Sequence, residues 1–328
     1  MQELENLMIK KAVELLDGGV VDRVIGWKKG EFYYDNTPAT FYKKEELNDF
    51  VYNGFCGANL SKYLVAESKK GGKVLVFLKP CDTYSFNQLL TEKRIDRDKV
   101  YTVGIECRGH LNIESIRARG IEGVVGLEEK GDEVTVKTLY GDAKLKRGEV
   151  MLEKCLSCKT KKFAHNACDE TIVLHEMPEE DPNKRFSMVI ELEKMTPDER
   201  FAFWKSQLSK CIRCNACRNV CPACTCFKCV FDNPDSGIAA KANDDRFEEK
   251  LFHIIRSFHV AGRCTDCGEC SRVCPQNIPL HLLNRKYIKD INELYGEYQA
   301  GAEAGSRAPL VDFREEDINP GENLKEGK

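Results

Sequence analysis

The apolar positions of the first half of the chain change period repeatedly, short continuous runs alternating with helical spacings. The clearest runs are Lys73–Lys79 (KVLVFLK) and Val100–Ile105 (VYTVGI). Their length and apolar continuity are those of strands buried in a parallel sheet. Tyr84–Lys93, between them, reads as a crossover helix, which makes the two strands parallel neighbours. Each run is followed by a cysteine, Cys81 and Cys107. That arrangement carries both thiols to the carboxyl edge of the sheet, where open α/β sheets place their ligands. The expectation for residues 1–185 is an α/β domain.

The pattern changes after EMPEEDPNKRF (176–186), whose charges and two prolines mark an exposed connection. Met188–Glu193 reads as a strand. Thr196-Pro197-Asp198-Glu199 then offers a capping hydroxyl, a proline at the first helical position and a glutamate three residues past the cap. The spacing predicts a helix from Pro197 to about Ser209, delivering Cys211 at its end. Two apolar stripes at helical spacing follow: Phe247, Leu251, Ile254, Ile255 and Phe258, then Leu280, Leu283, Tyr287, Ile291 and Leu294. Asp245 and Glu248 suit the start of the first, and Gly262 and Gly296 stop the two. Both stripes read as core packing. Residues 186–298 thus form a mainly helical domain, and the polar, glycine-containing tail 299–328 is expected to be disordered or extended. Its short apolar element, Pro309–Phe313, reads equally as a partner-docking segment and as a frayed end.

A chain of 328 residues with 42% apolar content can bury a core in each of two domains. The net charge of -3 supplies no basic field for a phosphate backbone, so nucleic acid is not an expected partner. The amino terminus, MQELENLMIKKAVELL, lacks the pattern of a secretory signal, and no stretch approaches the roughly 20 apolar residues of a spanning helix. A cytoplasmic protein without membrane insertion is expected. Seventeen cysteines in such a chain point to metal ligation before disulfides, because the cytosol keeps thiols reduced.

The cysteines carry the chemistry. Cys211-x2-Cys214-x2-Cys217-x3-Cys221-Pro222 is repeated as Cys264-x2-Cys267-x2-Cys270-x3-Cys274-Pro275. Three cysteines at two-residue intervals let a short loop wrap three corners of a cubane, and the fourth turns away to complete the other cluster. One [4Fe-4S] cluster therefore takes Cys211, Cys214, Cys217 and Cys274, and a second takes Cys264, Cys267, Cys270 and Cys221. Zinc is the competing metal, but zinc ribbons use separated C-x2-C pairs, not two full copies of a three-plus-one pattern followed by proline. In the first domain Cys81, Cys107 and the pair Cys155-x2-Cys158 supply four thiolates from three segments, enough for a third cluster. Isolated core thiols are the alternative there, and Cys168 could replace one ligand. Cys56 reads as an ordinary buried cysteine. Cys224, Cys226 and Cys229 follow the first motif without a clear assignment, as spare thiols near a cluster, as ligands of another metal or as packing.

Little else in the sequence suggests a reactive site. Gly120-x2-Gly123-x2-Gly126 has the wrong spacing for a dinucleotide fingerprint, no P-loop occurs, and FAD has no motif to support it. His110, His253 and His259 read as packing or surface residues. No base–nucleophile pair suggests hydrolysis.

The stretches Arg200–Asp232 and Phe258–Leu280 resemble the dicluster ferredoxin module of electron-transfer subunits in anaerobic hydrogenase, formate dehydrogenase and heterodisulfide reductase-type complexes. LKPCD (Leu78–Asp82), GIECRGH (Gly104–His110) and CLSC (Cys155–Cys158) are similar to the beta subunits of deazaflavin-coenzyme-reducing hydrogenases and dehydrogenases, and to sulfhydrogenase-type beta subunits. The resemblance implies a non-catalytic subunit that relays single electrons between redox partners, one of which is a flavoprotein or metalloenzyme subunit. It also implies a rival, a beta subunit that holds FAD itself and exchanges hydride with a nicotinamide or deazaflavin coenzyme. A free ferredoxin-like carrier is the third alternative.

Overall fold

The computed structural model describes residues 1–177, 179–233, 235 and 246–310. By internal contacts the chain divides into two compact units, Met1–Thr83 with Ile95–Glu180, and Tyr84–Arg94 with Asp181–Lys328.

The first unit contains, in order, α1 (Gln2–Asp17), β1 (Arg23–Lys29), β2 (Asn36–Phe41), α2 (Leu64–Glu67), β3 (Val74–Leu78) and the start of α3 (Pro80–Thr91). After the second unit's share of α3 come β4 (Val100–Ile105), α4 (Ile113–Arg117), β5 (Val124–Lys130), β6 (Glu133–Thr138), β7 (Ala143–Lys146), α5 (Arg147–Val150), α6 (Glu153–Leu156) and β8 (Glu170–Ile172). The main sheet has the order β2-β1-β3-β4-β8. β3 and β4 are parallel neighbours with Val74 opposite Val100 and Leu78 opposite Gly104, as the apolar runs require. Every residue of β3 is buried, which explains why its sequence is continuously apolar and not alternating. Only β2 runs antiparallel, on β1. A separate antiparallel sheet, β5-β6-β7, buries Val124, Val134 and Val136 against Leu111, Ile116 and Val150.

The second unit contains α7 (Ser187–Lys194), α8 (Pro197–Leu208), α9 (Ala216–Asn219), α10 (Arg246–Val260), α11 (Glu269–Arg272) and α12 (Leu280–Tyr295). The start of α8 is a full capping box: the Thr196 hydroxyl accepts from Glu199 N–H, and the Glu199 carboxylate accepts from Thr196 N–H. Residues Met188–Glu193, expected as a strand, are instead the body of α7. Val189 and Leu192, three apart, are its buried positions and pack with Leu282, so helical spacing overrides the β-branched content. The described part of the tail, 299–310, also departs from expectation. Between Gln299 and Leu310 it forms turns in which Ala300 and Ala308 are buried and Gly305 N–H donates to Thr91 Oγ1 at 2.9 Å. Gly301, at φ +75°, lies so close to the Tyr84 carbonyl that a side chain there would overlap it. Val311–Phe313 and the suggested helix start at Asp245 lie outside the described residues. Among the described residues no helix is long and apolar enough to cross a membrane.

Candidate metal centres

The second unit holds its cysteines on two loops of the same backbone form. Each first cysteine is followed, two and four residues on, by a left-handed residue: Arg213 (φ 52°) and Asn215 (φ 61°) after Cys211, Asp266 (φ 55°) and Gly268 (φ 68°) after Cys264. The second of these precedes a short helix, α9 or α11, and the two helices pack on each other. A non-glycine residue in this conformation costs roughly 1–3 kcal/mol unless its surroundings hold it. Arg213 is held by its N–H, which donates to Cys211 Sγ at 3.4 Å, and by its guanidinium, 4.3 Å from the Phe252 ring. Asp266 N–H reaches Cys264 in the same way.

The fourth cysteine of each motif sits with the other loop. A cavity is lined by Cys211, Cys214, Cys217 and Cys274, with Phe252 and His253 beside them. Burial pushes the Cys217 thiol up to about 11, and Cys211, Cys274 and Cys214 are the thiols that add to the effect. Burial also pushes Cys264 well above its ordinary value, and the thiols that add to it are Cys221 and Cys267. Cys270, pushed up to about 11 by burial, feels Cys221 and, less strongly, Cys217. Among the described residues no three His, Cys, Asp or Glu side chains converge tightly enough for a single metal ion. A cubane offers its iron atoms at separate corners, so its thiolates stand further apart than those around one zinc at about 2.3 Å. Of the unassigned thiols, Cys224 hydrogen-bonds to Cys221, which is lowered by that contact to about 6, while Cys226 is exposed and Cys229 is partly buried beside the core.

In the first unit, Cys81 lies in the first turn of α3, just past the end of β3, and Cys107 lies just past the end of β4. A short backbone ladder brings the third segment to them: Leu111 bridges Met151, and Leu152 N–H donates to the His110 carbonyl at 2.8 Å. Gly109 N–H then donates to Cys107 Sγ, and His110 N–H to Cys155 Sγ, both at 3.4 Å. Burial raises Cys81 and Cys155, and each feels Cys107 as a like charge. Buried Lys161 lies in the field of Cys107, Cys158 and Cys155, which outweigh the effect of its burial and raise it. Cys168 is apart from this group: it packs against Gly104 of β4 and is pushed up to about 12 by burial and by Asp169. Cys56 is fully buried, accepts from Asn53 N–H and is likewise pushed up to about 12 by burial.

Residues 207–278 match the family model of the 4Fe-4S dicluster domain. Over 84% of its length the chain is 25% identical to the F420-dependent formate dehydrogenase subunit beta of Methanocaldococcus jannaschii, covering 86% of that protein. Over 75% of its length it is 26% identical to the F420-dependent formate dehydrogenase 1 subunit beta of Methanococcus maripaludis, covering 78% of it. Both likenesses run over most of the chain, and both are to beta subunits. Over 22% of its length the chain is also 36% identical to the putative ferredoxin-3 of Sinorhizobium fredii, covering 70% of that protein.

With a 4Fe-4S dicluster domain and a likeness to beta subunits over most of its length, the chain is an electron-transfer subunit, and its interior suits clusters in ways the cysteine spacing did not announce. Arg256 and His253 are buried on α10, and none of their side-chain nitrogens has a hydrogen-bond partner among the described residues. In the first unit the same is true of both ring nitrogens of His110 and of the Tyr52 hydroxyl, which lies in the field of Cys107 and Cys81. Buried polar groups ordinarily find partners, and sulfide and thiolate sulfur are acceptors that would satisfy these. His110 and His253, read from sequence as packing or surface residues, are both buried beside cysteines. Arg147, donating to the Gly109 carbonyl at 2.6 Å, and Lys161 add buried cations to the first group. The one signal in the sequence for Arg256 is its place three residues after His253, on a helix whose apolar stripe is the more conspicuous feature.

Proposed function

We propose that Cys211, Cys214, Cys217 and Cys274 hold one [4Fe-4S] cluster, that Cys264, Cys267, Cys270 and Cys221 hold a second, and that Cys81, Cys107, Cys155 and Cys158 hold a third. Through them the chain passes single electrons within a multi-subunit anaerobic oxidoreductase of the cytoplasm. The observation that carries the reading is the cavity that joins Cys274 to Cys211, Cys214 and Cys217, although 57 positions of chain separate Cys217 from Cys274. When bound, each cluster takes up and gives back one electron at a time. The protein's part is to exclude water, to hold the thiols, and to direct N–H groups at sulfur, as Arg213, Gly109 and His110 do with their backbones.

Two relatives are beta subunits of formate dehydrogenases that depend on F420. By that likeness the partners are a catalytic subunit that handles electron pairs and a further redox carrier, for which this chain divides each pair into single steps. Purification of the intact complex without oxygen tests this: co-purifying redox subunits are expected, and a stable lone monomer would contradict it. The same two names favour a second reading, in which this chain also binds FAD and itself exchanges hydride with a deazaflavin or nicotinamide coenzyme. Anaerobic reconstitution separates the two. Stoichiometric flavin with coenzyme-dependent dye reduction by the isolated chain supports the second reading.

A further inference from the structure

The side chain of Arg256 is 3% exposed, and its Nε, Nη1 and Nη2 atoms have no hydrogen-bond partner among the described residues. A guanidinium cannot shed its charge in a protein and presents five donors. Buried and unpaired, it is among the most destabilising groups a fold can contain. Its surroundings are sulfur. Phe252, one turn earlier on α10, packs with Cys217 and Cys270 in one core cluster, and the thiols whose field reaches Arg256 are Cys270, Cys217, Cys221 and Cys224. Cys217 belongs to one proposed ligand set, and Cys221 and Cys270 to the other. His253, one turn earlier on the same helix, lines the cavity of Cys211, Cys214, Cys217 and Cys274.

We infer that Arg256 is a positioning residue shared by the two clusters of the dicluster domain, donating N–H hydrogen bonds to their sulfurs and holding one fixed positive charge beside both. The inference rests on the ligand sets proposed above. Each cluster gains a negative charge when it accepts an electron, and a buried cation stabilises that reduced form. Arg256 therefore raises both reduction potentials and makes the pair easier to charge from a weak donor.

The test uses the full chain purified without oxygen. Redox titration followed by electron paramagnetic resonance should show both dicluster potentials shifted to more negative values in Arg256→Gln, and a smaller shift in Arg256→Lys, which keeps the charge. Pulsed resonance on the reduced protein with arginine labelled with 15N in the guanidinium only should show 15N coupling to both dicluster signals, diminished in Arg256→Lys. Unchanged potentials in both variants at full iron content would overturn the inference, as would guanidinium 15N coupling of the same strength in Arg256→Lys as in the unsubstituted protein. If Arg256→Gln fails to retain iron, the labelled unsubstituted protein decides, and absence of coupling there overturns the inference. Failure of the ligand sets would look different: substituting Cys217 would then leave both iron content and signals intact.

Discussion

The second unit delivers eight cysteines from two loops of matching backbone, whereas the first unit gathers four from three separate stretches of chain. The loops need only their own left-handed turns and the packing of α9 on α11. The first group depends on the parallel register of β3 with β4 and on the ladder that lays 150–155 beside 107–112. A local motif makes a site that can be moved between proteins, in keeping with a domain model that matches residues 207–278 alone. A site assembled by topology belongs to one fold and fails when that fold is disturbed.

The largest expected effect tests the exchange of fourth cysteines in the second unit. Cys274→Ser and Cys217→Ser should abolish the same resonance signal, each removing about four iron atoms, one cubane's complement. Cys270→Ser should abolish the other. A Cys274→Ser protein that loses the signal sensitive to Cys270 would show that each loop closes its own cluster.

Gly109→Ala should separate the two kinds of site. Gly109 has φ +93°, and a side chain there would overlap the Met151 methyl and press on Cys155. The strained backbone alone costs about 1–3 kcal/mol. Thermal unfolding should register that loss, with the first-unit cluster depleted and the two others retained. Equal loss of iron from all three would mean that the two units do not hold their metals independently.

The contrast also governs what is legible in the sequence. The cysteine loops are legible because their chemistry is local, and the capping box at Thr196 for the same reason. β3 and β4 are legible because burial on both faces leaves a continuous apolar run. α7 reads wrongly as a strand because Val189 and Ile190 favour strands, while its helical state is fixed by Leu282, almost a hundred residues away. The β5-β6-β7 sheet leaves a fainter signal, Val134 and Val136 alternating after the Gly131 turn. The turns at 299–310 depend on docking to Tyr84 and Thr91, which no local rule contains. Arg256 and His253 escape a reading of the sequence because a polar residue acquires meaning only from what a fold places against it.

Within the second unit the two loops carry opposite charges at one equivalent position, and the smallest expected effects lie there. Arg213 stands beside the first set, while Asp266 stands beside the second and is bridged at 2.8 Å by Arg285 and at 3.5 Å by Arg185. Arg213→Gln should lower the potential of the cluster held by Cys211, and Asp266→Asn should raise that of the cluster held by Cys264, both read by anaerobic redox titration. Shifts of the same sign in the two variants would show that the local charge is not what distinguishes the loops.

The central claim meets its most direct test in the metal content of the full chain purified without oxygen. Three cubanes predict about twelve iron atoms and about twelve acid-labile sulfides per chain, with a reducible [4Fe-4S] spectrum. A colourless protein holding zinc and no acid-labile sulfide would contradict it.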